Sequence, residues 1–291
     1  MCGIAGIVHP AAGTPSAPEL DEAQIAAMTA ALAHRGPDAD GFFQRPGVAL
    51  GHRRLKIVDL SGGAQPMSDP AERVWVTYNG EIYNHESLRR ELEARGCVFR
   101  TRCDTEVLVH GYLEWGPERL LDRIDGMFAF GIWDSERRRL VLARDRMGQK
   151  PLFYTRVADG TLLFGSELKA LLAHPDVEQV VDPDGLAAYL TLEYLPGRLC
   201  MANGVQKLLP GTWVDVRGSE LREHRYWDIP ISDEPAPPHA IDRFMELFDA
   251  AVGPRQIGQV PHGVFLTGGG GLISLAPTGV GPRNPAKVNS I

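Results

Sequence analysis

Short β-forming segments separated by turn signals dominate the middle of this chain. Leu152 to Thr155 and Thr161 to Gly165 flank Ala158-Asp159-Gly160, a hairpin signal. Met127 to Trp133 is β-rich, Arg137 to Arg139 falls at a turn, and Leu140 to Ala143 follows as a strand. Strands joined by so few residues must pair antiparallel, because a parallel connection needs a crossover of about a dozen residues or more. The spacing therefore predicts an α+β fold, with mainly antiparallel sheets and helices beside them.

The rest of the chain fits that frame. Cys2 to Val8 reads as a short apolar strand relieved by glycines, and Leu55 to Leu60 and Val74 to Tyr78 read as further strands. Helices are expected over Glu19 to Leu32, from Asn84 or His85 through Leu92, from Asp104 through Leu113, over Glu167 to Leu172, and over Ala240 to Val252. Residues 182 to 228 add a helix and a strand or two. Asp233 to Pro238 is a proline-rich linker and the best domain boundary, and a strand is expected at Gly263 to Leu266.

With 44% hydrophobic and 23% charged residues, the 291-residue chain can bury a core, which excludes a wholly disordered protein. Its net charge of −7 argues against nucleic acid as the main partner. No apolar run approaches the roughly 20 residues needed to span a bilayer, and the start lacks a signal-length apolar region, so a cytoplasmic protein is expected. Cys2, Cys97, Cys103 and Cys200 show no CxxC spacing, so neither a zinc site nor a disulfide framework is indicated.

Cys2 carries the chemistry. If Met1 is removed, as a small second residue permits, the chain begins with a thiol and a free α-amine on one residue. The amine titrates at about 7.7–8.0 and is then poised as a base for its own side chain. The alternative is a retained Met1 and an inert cysteine at a strand start.

Other segments decide between these. Cys2-Gly3-Ile4-Ala5-Gly6, His34-Arg35-Gly36-Pro37-Asp38, His52 to Asp59 and Asn79-Gly80-Glu81-Ile82-Tyr83-Asn84 stand in that order. Asp104-Thr105-Glu106, Gly126 to Phe130, Arg144 to Gly148, Pro151 to Tyr154, Ser166 to Leu171, Tyr189-Leu190-Thr191 and Val205 to Gly211 continue it. Together they resemble the glutaminase domain of the class II glutamine amidotransferases, and among these glutamine-hydrolysing asparagine synthetase, over about residues 2 to 266. The resemblance implies an N-terminal nucleophile hydrolase fold, with two stacked antiparallel sheets flanked by helices.

It also implies roles for matching residues. Cys2 would be the nucleophile. Arg54 would clamp the glutamine α-carboxylate bidentately, with Leu55, Ile57 and Val58 beside it; Arg53 competes for this place. Asn79 and Gly80 would form the oxyanion hole, although an Asn-Gly turn is also open. Glu81 would contact substrate. Asp104 would hold the α-ammonium, a role compatible with capping a helix. Arg35 to Asp38 would line the pocket wall.

Residues 2–232 would then be the glutaminase domain with its extension, 233–239 the linker, 240–271 the start of an ATP-dependent synthetase domain, and 272–291 a disordered tail. The family's pyrophosphate loop is replaced by Thr267-Gly268-Gly269-Gly270-Gly271, and its helix by a stretch containing Pro277, Pro282 and Pro285. The resemblance thus implies a truncated synthetase. Leu266 stands at the family's ATP position, where ATP and magnesium would serve the synthetase half. Glutamine hydrolysis itself would need no metal or cofactor. The expected partner is the small molecule glutamine, with no nucleic acid, no membrane and a possible homodimer. The competing readings are an amidotransferase of the same superfamily feeding another acceptor, such as phosphoribosyl pyrophosphate or a sugar phosphate, an inactive remnant, and a glutaminase subunit or interaction module serving a separate synthetase.

Overall fold

The computed structural model describes residues 1–235, 237–255, 263–266 and 287–290. They divide into two compact units: Met1–Lys56 with Ser61–Asp228, and Ile57–Leu60 with the described residues from Ile229 onward.

The first unit runs β1 (Gly3–Val8), α1 (Glu22–Ala30), β2 (Ala39–Arg45), β3 (Val48–Arg54), β4 (Met67–Ser68), β5 (Val74–Ile82), α2 (His85–Ala94) and α3 (Thr105–Arg123). It continues through β6 (Gly126–Asp134), β7 (Arg139–Arg144), β8 (Phe153–Arg156), β9 (Leu162–Gly165), α4 (Leu168–Leu172), α5 (Pro183–Leu192), β10 (Gln206–Lys207), β11 (Thr212–Arg217) and β12 (Glu220–Arg225). One six-stranded sheet has the order β10-β8-β9-β1-β3-β2, the other β12-β11-β7-β6-β5-β4. Every pairing within them is antiparallel. The α+β class with antiparallel sheets, expected from the turn spacing, is the class observed.

Three apolar clusters define the layers. Ile4, Leu50 and Phe164 of the first sheet meet Ala129, Leu142 and Val214 of the second. Ile25 and Met28 of α1 and Ala170 and Leu171 of α4 cover the outer face of the first sheet through Ala5, Ile7 and Leu163. Leu88 and Leu92 of α2 and Leu108 and Leu120 of α3 cover the other through Val76, Tyr78 and Phe130. Central strands such as β1, β7 and β9 are buried on both faces and read as nearly continuous apolar runs, whereas the edge strands β2 and β12 alternate.

Local chemistry sets the helix ends. The helix expected from Glu19 begins at Glu22, because Asp21 accepts the Ala23 N–H at 2.9 Å. The α3 run bends at Gly116, whose φ is 74°, followed by Pro117. The expected strand over 55–60 is not one. β3 ends at Arg54, since its partner β1 begins at Gly3, which pairs with Arg53, and no strand remains for 55–60 to join.

In the second unit, α6 (Ala240–Val252) spans the helix expected there, with Ile241, Phe244 and Leu247 exposed. β13 (Gly263–Leu266) pairs in parallel with β14 (Lys287–Ser290), within the stretch expected to be a disordered tail. Pairing supplies partners for the backbone groups of β13. The glycine run 267–271 and the remainder of the tail lie outside the described residues.

Candidate active site

The register of β1 against β3 places the first residues. Gly3 lies opposite Arg53, so Cys2 falls beside the Arg54-Leu55 step. The Cys2 Sγ accepts the Leu55 N–H at 3.4 Å and faces the Leu55 carbonyl at 3.7 Å. Arg53 and Arg54, adjacent on a strand, point to opposite faces. Arg53 reaches Asp40 at the surface at 3.0 Å, whereas Arg54 is buried. A Cβ added to Gly63 would stand 2.4 Å from the Arg54 Nη2 and 2.9 Å from the Cys103 Sγ, so the guanidinium packs directly on that glycine.

β5 supplies an edge. The backbone N–H groups of alternate residues point to the same side of a strand. On that side the Tyr78 N–H donates to the Gln65 Oε1 at 2.7 Å and the Ile82 N–H to the Asp104 Oδ2 at 3.0 Å. Gly80 lies between them on the same edge. Its opposite number, Phe128, instead donates its N–H to the Asp145 carboxylate at 3.2 Å and accepts the Asp145 N–H at 2.8 Å, so the Gly80 pair is not a hydrogen-bonded rung. A Cβ on Gly80 would fall 2.2 Å from the Met127 carbonyl oxygen, so only glycine fits against β6 there.

Asn79 is 1% exposed, and its side-chain Nδ2 has no hydrogen-bond partner among the described residues. A buried amide donor left without an acceptor costs stability. The turn reading of Asn79-Gly80 does not apply, since both lie within β5. Glu81 follows, half-buried, and its charge acts on Lys150.

Asp104 occupies the residue before α3 but makes no side-chain cap. Its buried Oδ2 accepts from the Tyr78 hydroxyl at 2.8 Å as well as from Ile82. Burial, then the Asp104 carboxylate, push the Tyr78 phenol well above its ordinary range. The Asp104 and Arg54 charges both act on the Cys2 thiol.

The two sheets are tied at this point. The His52 Nε2 lies 3.1 Å from the Tyr78 carbonyl, and the Thr77 hydroxyl donates to the Gly51 carbonyl at 3.1 Å. Burial drives His52 down to about 3, so its ring is neutral and donates to Tyr78.

Around the chain start, the Arg35 Nε donates to the Cys2 carbonyl at 2.9 Å, and Asp38 accepts the Lys56 N–H at 2.8 Å and donates its own N–H to the Arg54 carbonyl. The buried Lys150 Nζ lies 3.1 Å from the Met1 sulfur. Burial lowers the Met1 α-amine, and the Arg35 and Lys150 cations lower it further against the pull of the Cys2 thiolate. Burial raises the Cys2 thiol above its ordinary value.

Cys2, Arg54, Leu55, Asn79, Gly80, Glu81 and Asp104 all belong to the first unit; Ile57 and Val58 fall in the second. Leu266 closes β13. The residues that sequence reasoning did not single out are His52, Gln65 and Tyr78. His52 and Tyr78 were visible only as neighbours of the expected site residues, and nothing local marks Gln65. Among the described residues no cluster of three His, Cys, Asp or Glu side chains could hold a metal ion, and no helix is long and apolar enough to cross a membrane.

Comparison with known proteins adds independent findings. The chain is 38% identical over 274 residues to asparagine synthetase [glutamine-hydrolyzing] 3 of Bacillus subtilis, covering 92% of this chain and 44% of that protein. It is 33% identical to the asparagine synthetase [glutamine-hydrolyzing] of Zea mays, over 92% of this chain and 40% of the relative. The chain therefore spans less than half the length of these relatives. The solved structure of glutamine phosphoribosylpyrophosphate amidotransferase from B. subtilis superposes with a TM-score of 0.55 at 21% identity, over 78% of this chain and 49% of that one. That likeness shows the fold, which is of the N-terminal nucleophile hydrolase type. Residues 1–227 match the family described as the glutamine amidotransferase domain, and it is to this family that the chain belongs.

Proposed function

We propose that this chain hydrolyses glutamine to glutamate and ammonia, as the amidotransferase half of an asparagine synthetase. Met1 is removed, freeing the α-amine of Cys2. The thiol proton passes to that amine as Sγ attacks the side-chain amide carbon. The carbonyl oxygen, now an oxyanion, is received by the Asn79 Nδ2 and the Gly80 N–H. The ammonium of Cys2 returns its proton to the leaving nitrogen, which departs as ammonia and leaves a γ-glutamyl thioester. Water, activated by the same amine, then releases glutamate. Arg54 binds the substrate α-carboxylate and Asp104 its α-ammonium, both from buried positions beside Cys2. This step draws on no metal or cofactor. ATP and magnesium would serve a synthetase half.

The observation that supports this reading best is the buried Asn79 amide, without a partner among the described residues, next to Gly80 on the same strand. An incoming oxyanion would satisfy this otherwise costly donor. The test is glutamate release from glutamine by the purified chain, with its N-terminus defined by intact mass. Release that is lost in Cys2→Ala supports the proposal. Equal release by wild type and Cys2→Ala, or release by a chain retaining Met1, rejects it.

A further inference from the structure

Glu167 stands directly before α4, where a helix-capping side chain would normally serve the first backbone N–H groups. It makes no such cap. Its Oε1 instead accepts from the Arg35 Nη1 at 2.7 Å and lies 3.0 Å from the His34 Nε2, while Lys169 approaches Oε2 at 3.4 Å. Burial works to raise its carboxyl, and the bonds from Arg35 and His34 outweigh that and hold it low.

The Arg35 side chain is only 8% exposed, and it spans two partners. One end meets Glu167; the other, Nε, donates to the Cys2 carbonyl at 2.9 Å. The neighbouring residue reinforces the clamp. Ser166 accepts the Ile4 N–H on its hydroxyl at 3.0 Å and donates its own N–H to the Ile4 carbonyl at 2.9 Å. The junction between β9 and α4 thus grips the chain at Ile4 directly and at Cys2 through Arg35.

We infer that Glu167 is a positioning residue for the Cys2 thiol: it fixes the Arg35 guanidinium, which in turn fixes the Cys2 carbonyl and so the direction of Sγ. The inference rests on the proposed role of Cys2 as nucleophile. The carbonyl is the one backbone group of Cys2 that survives Met1 removal unchanged, since the amine becomes a free terminus. A residue that begins a chain has lost its preceding tether, so its side chain is oriented only by what holds its carbonyl and its own thiol. A guanidinium held at both ends supplies that restraint with little entropy left to lose.

Glu167 touches none of the residues proposed to bind substrate, so its loss should act on kcat and spare KM. Glu167→Ala is expected to lower kcat by about 10- to 100-fold, the scale of a misplaced reacting group. Glu167→Gln keeps an acceptor for Arg35 and should recover most of the rate. Glu167→Asp, too short to reach, should not. Because both residues act along one line, Glu167→Ala combined with Arg35→Ala should be no slower than Arg35→Ala alone.

A second measurement separates this inference from the reading on which it depends. Alkylation of Cys2 by iodoacetamide, followed by peptide mass, reports the thiol without turnover. Glu167→Ala and Arg35→Ala should change its rate equally, and Glu167→Gln should restore it. If the wild type releases no glutamate, the proposed function fails and alkylation alone judges the positioning. An unchanged alkylation rate in Glu167→Ala overturns the inference, as does a fall in kcat/KM carried by KM. Should Glu167→Ala fail to fold, the contrast between Glu167→Gln and Glu167→Asp decides in the same two readouts.

Discussion

The Tyr78 hydroxyl donates to the Asp104 Oδ2 at 2.8 Å, and both groups are buried. The same carboxylate oxygen receives the Ile82 N–H, so one acid is aimed by two donors of a single strand. That arrangement explains why Asp104, placed where a helix cap belongs, turns its back on α3.

Tyr78→Phe should therefore disturb the acid without touching the substrate. Losing a hydrogen bond to a charged group costs about 1.5–3 kcal/mol, which a denaturant titration would detect. If Asp104 holds the α-ammonium, KM for glutamine should rise several-fold while kcat changes little, because such a contact is equal in ground and transition states. A fall confined to kcat would show that Asp104 does not bind the ammonium.

Asn79 predicts the opposite pattern. Its Nδ2 has no partner among the described residues, so Asn79→Ala removes an unsatisfied donor rather than a bond. The thermal midpoint should hold steady. Activity should not: removing one oxyanion donor lowers kcat by about 10²–10³ with little effect on KM. A variant that melts early yet keeps its kcat would place Asn79 in the framework and remove it from the chemistry.

How much of this was legible in the sequence depends on what each feature requires. The hairpins around Ala158-Asp159-Gly160 and Arg137 to Arg139 were readable because their signals are local. So was the span of α6, set by its own apolar spacing. The end of β3 was not, because it is decided by where β1 begins, fifty residues earlier. Arg53 and Arg54 show the same limit: one strand position separates a surface pair with Asp40 from a buried cation, and only the two-sheet packing says which face is inside. His52 and Gln65 were invisible as site residues for a related reason. His52 reaches the Tyr78 carbonyl of a strand in the other sheet, and Gln65, in the loop before β4, reaches the Tyr78 N–H; backbone groups leave no trace in a sequence.

The thiol environment fixes a pH dependence. With Met1 in place, Cys2 titrates above its ordinary value, chiefly from burial, so the neutral thiol prevails at pH 7. Iodoacetamide reacts with the thiolate. Alkylation of Cys2 should climb steadily from pH 7 to pH 9 without a plateau. Cys103, pushed up to about 12 by burial and the Asp104 charge, should stay unlabelled throughout. Peptide mapping by mass would follow both sites in one sample. A plateau for Cys2 near pH 7 would mean that the Arg54 and terminal charges outweigh burial.

The closest test of Arg54 leaves Arg54 in place. Gly63 has no left-handed backbone requirement, so alanine is conformationally acceptable there. Its new Cβ, however, would lie 2.4 Å from the Arg54 Nη2 and 2.9 Å from the Cys103 Sγ. Both contacts fall well inside ordinary van der Waals distance, and the guanidinium end is the more movable of the two. The fold should survive Gly63→Ala at modest cost, while the guanidinium is displaced from its seat. If Arg54 clamps the substrate carboxylate bidentately, even a displacement of about 1 Å spoils the fork, and kcat/KM should fall by about 10- to 100-fold. The loss should shrink for an amide substrate lacking the α-carboxylate, since that substrate never used the clamp. Arg53→Ala, which removes only the surface pair with Asp40, should leave glutamine hydrolysis unchanged. A Gly63→Ala protein with normal kcat/KM for glutamine and a normal melting curve would show that Arg54 is a buried framework cation and that the carboxylate is held elsewhere.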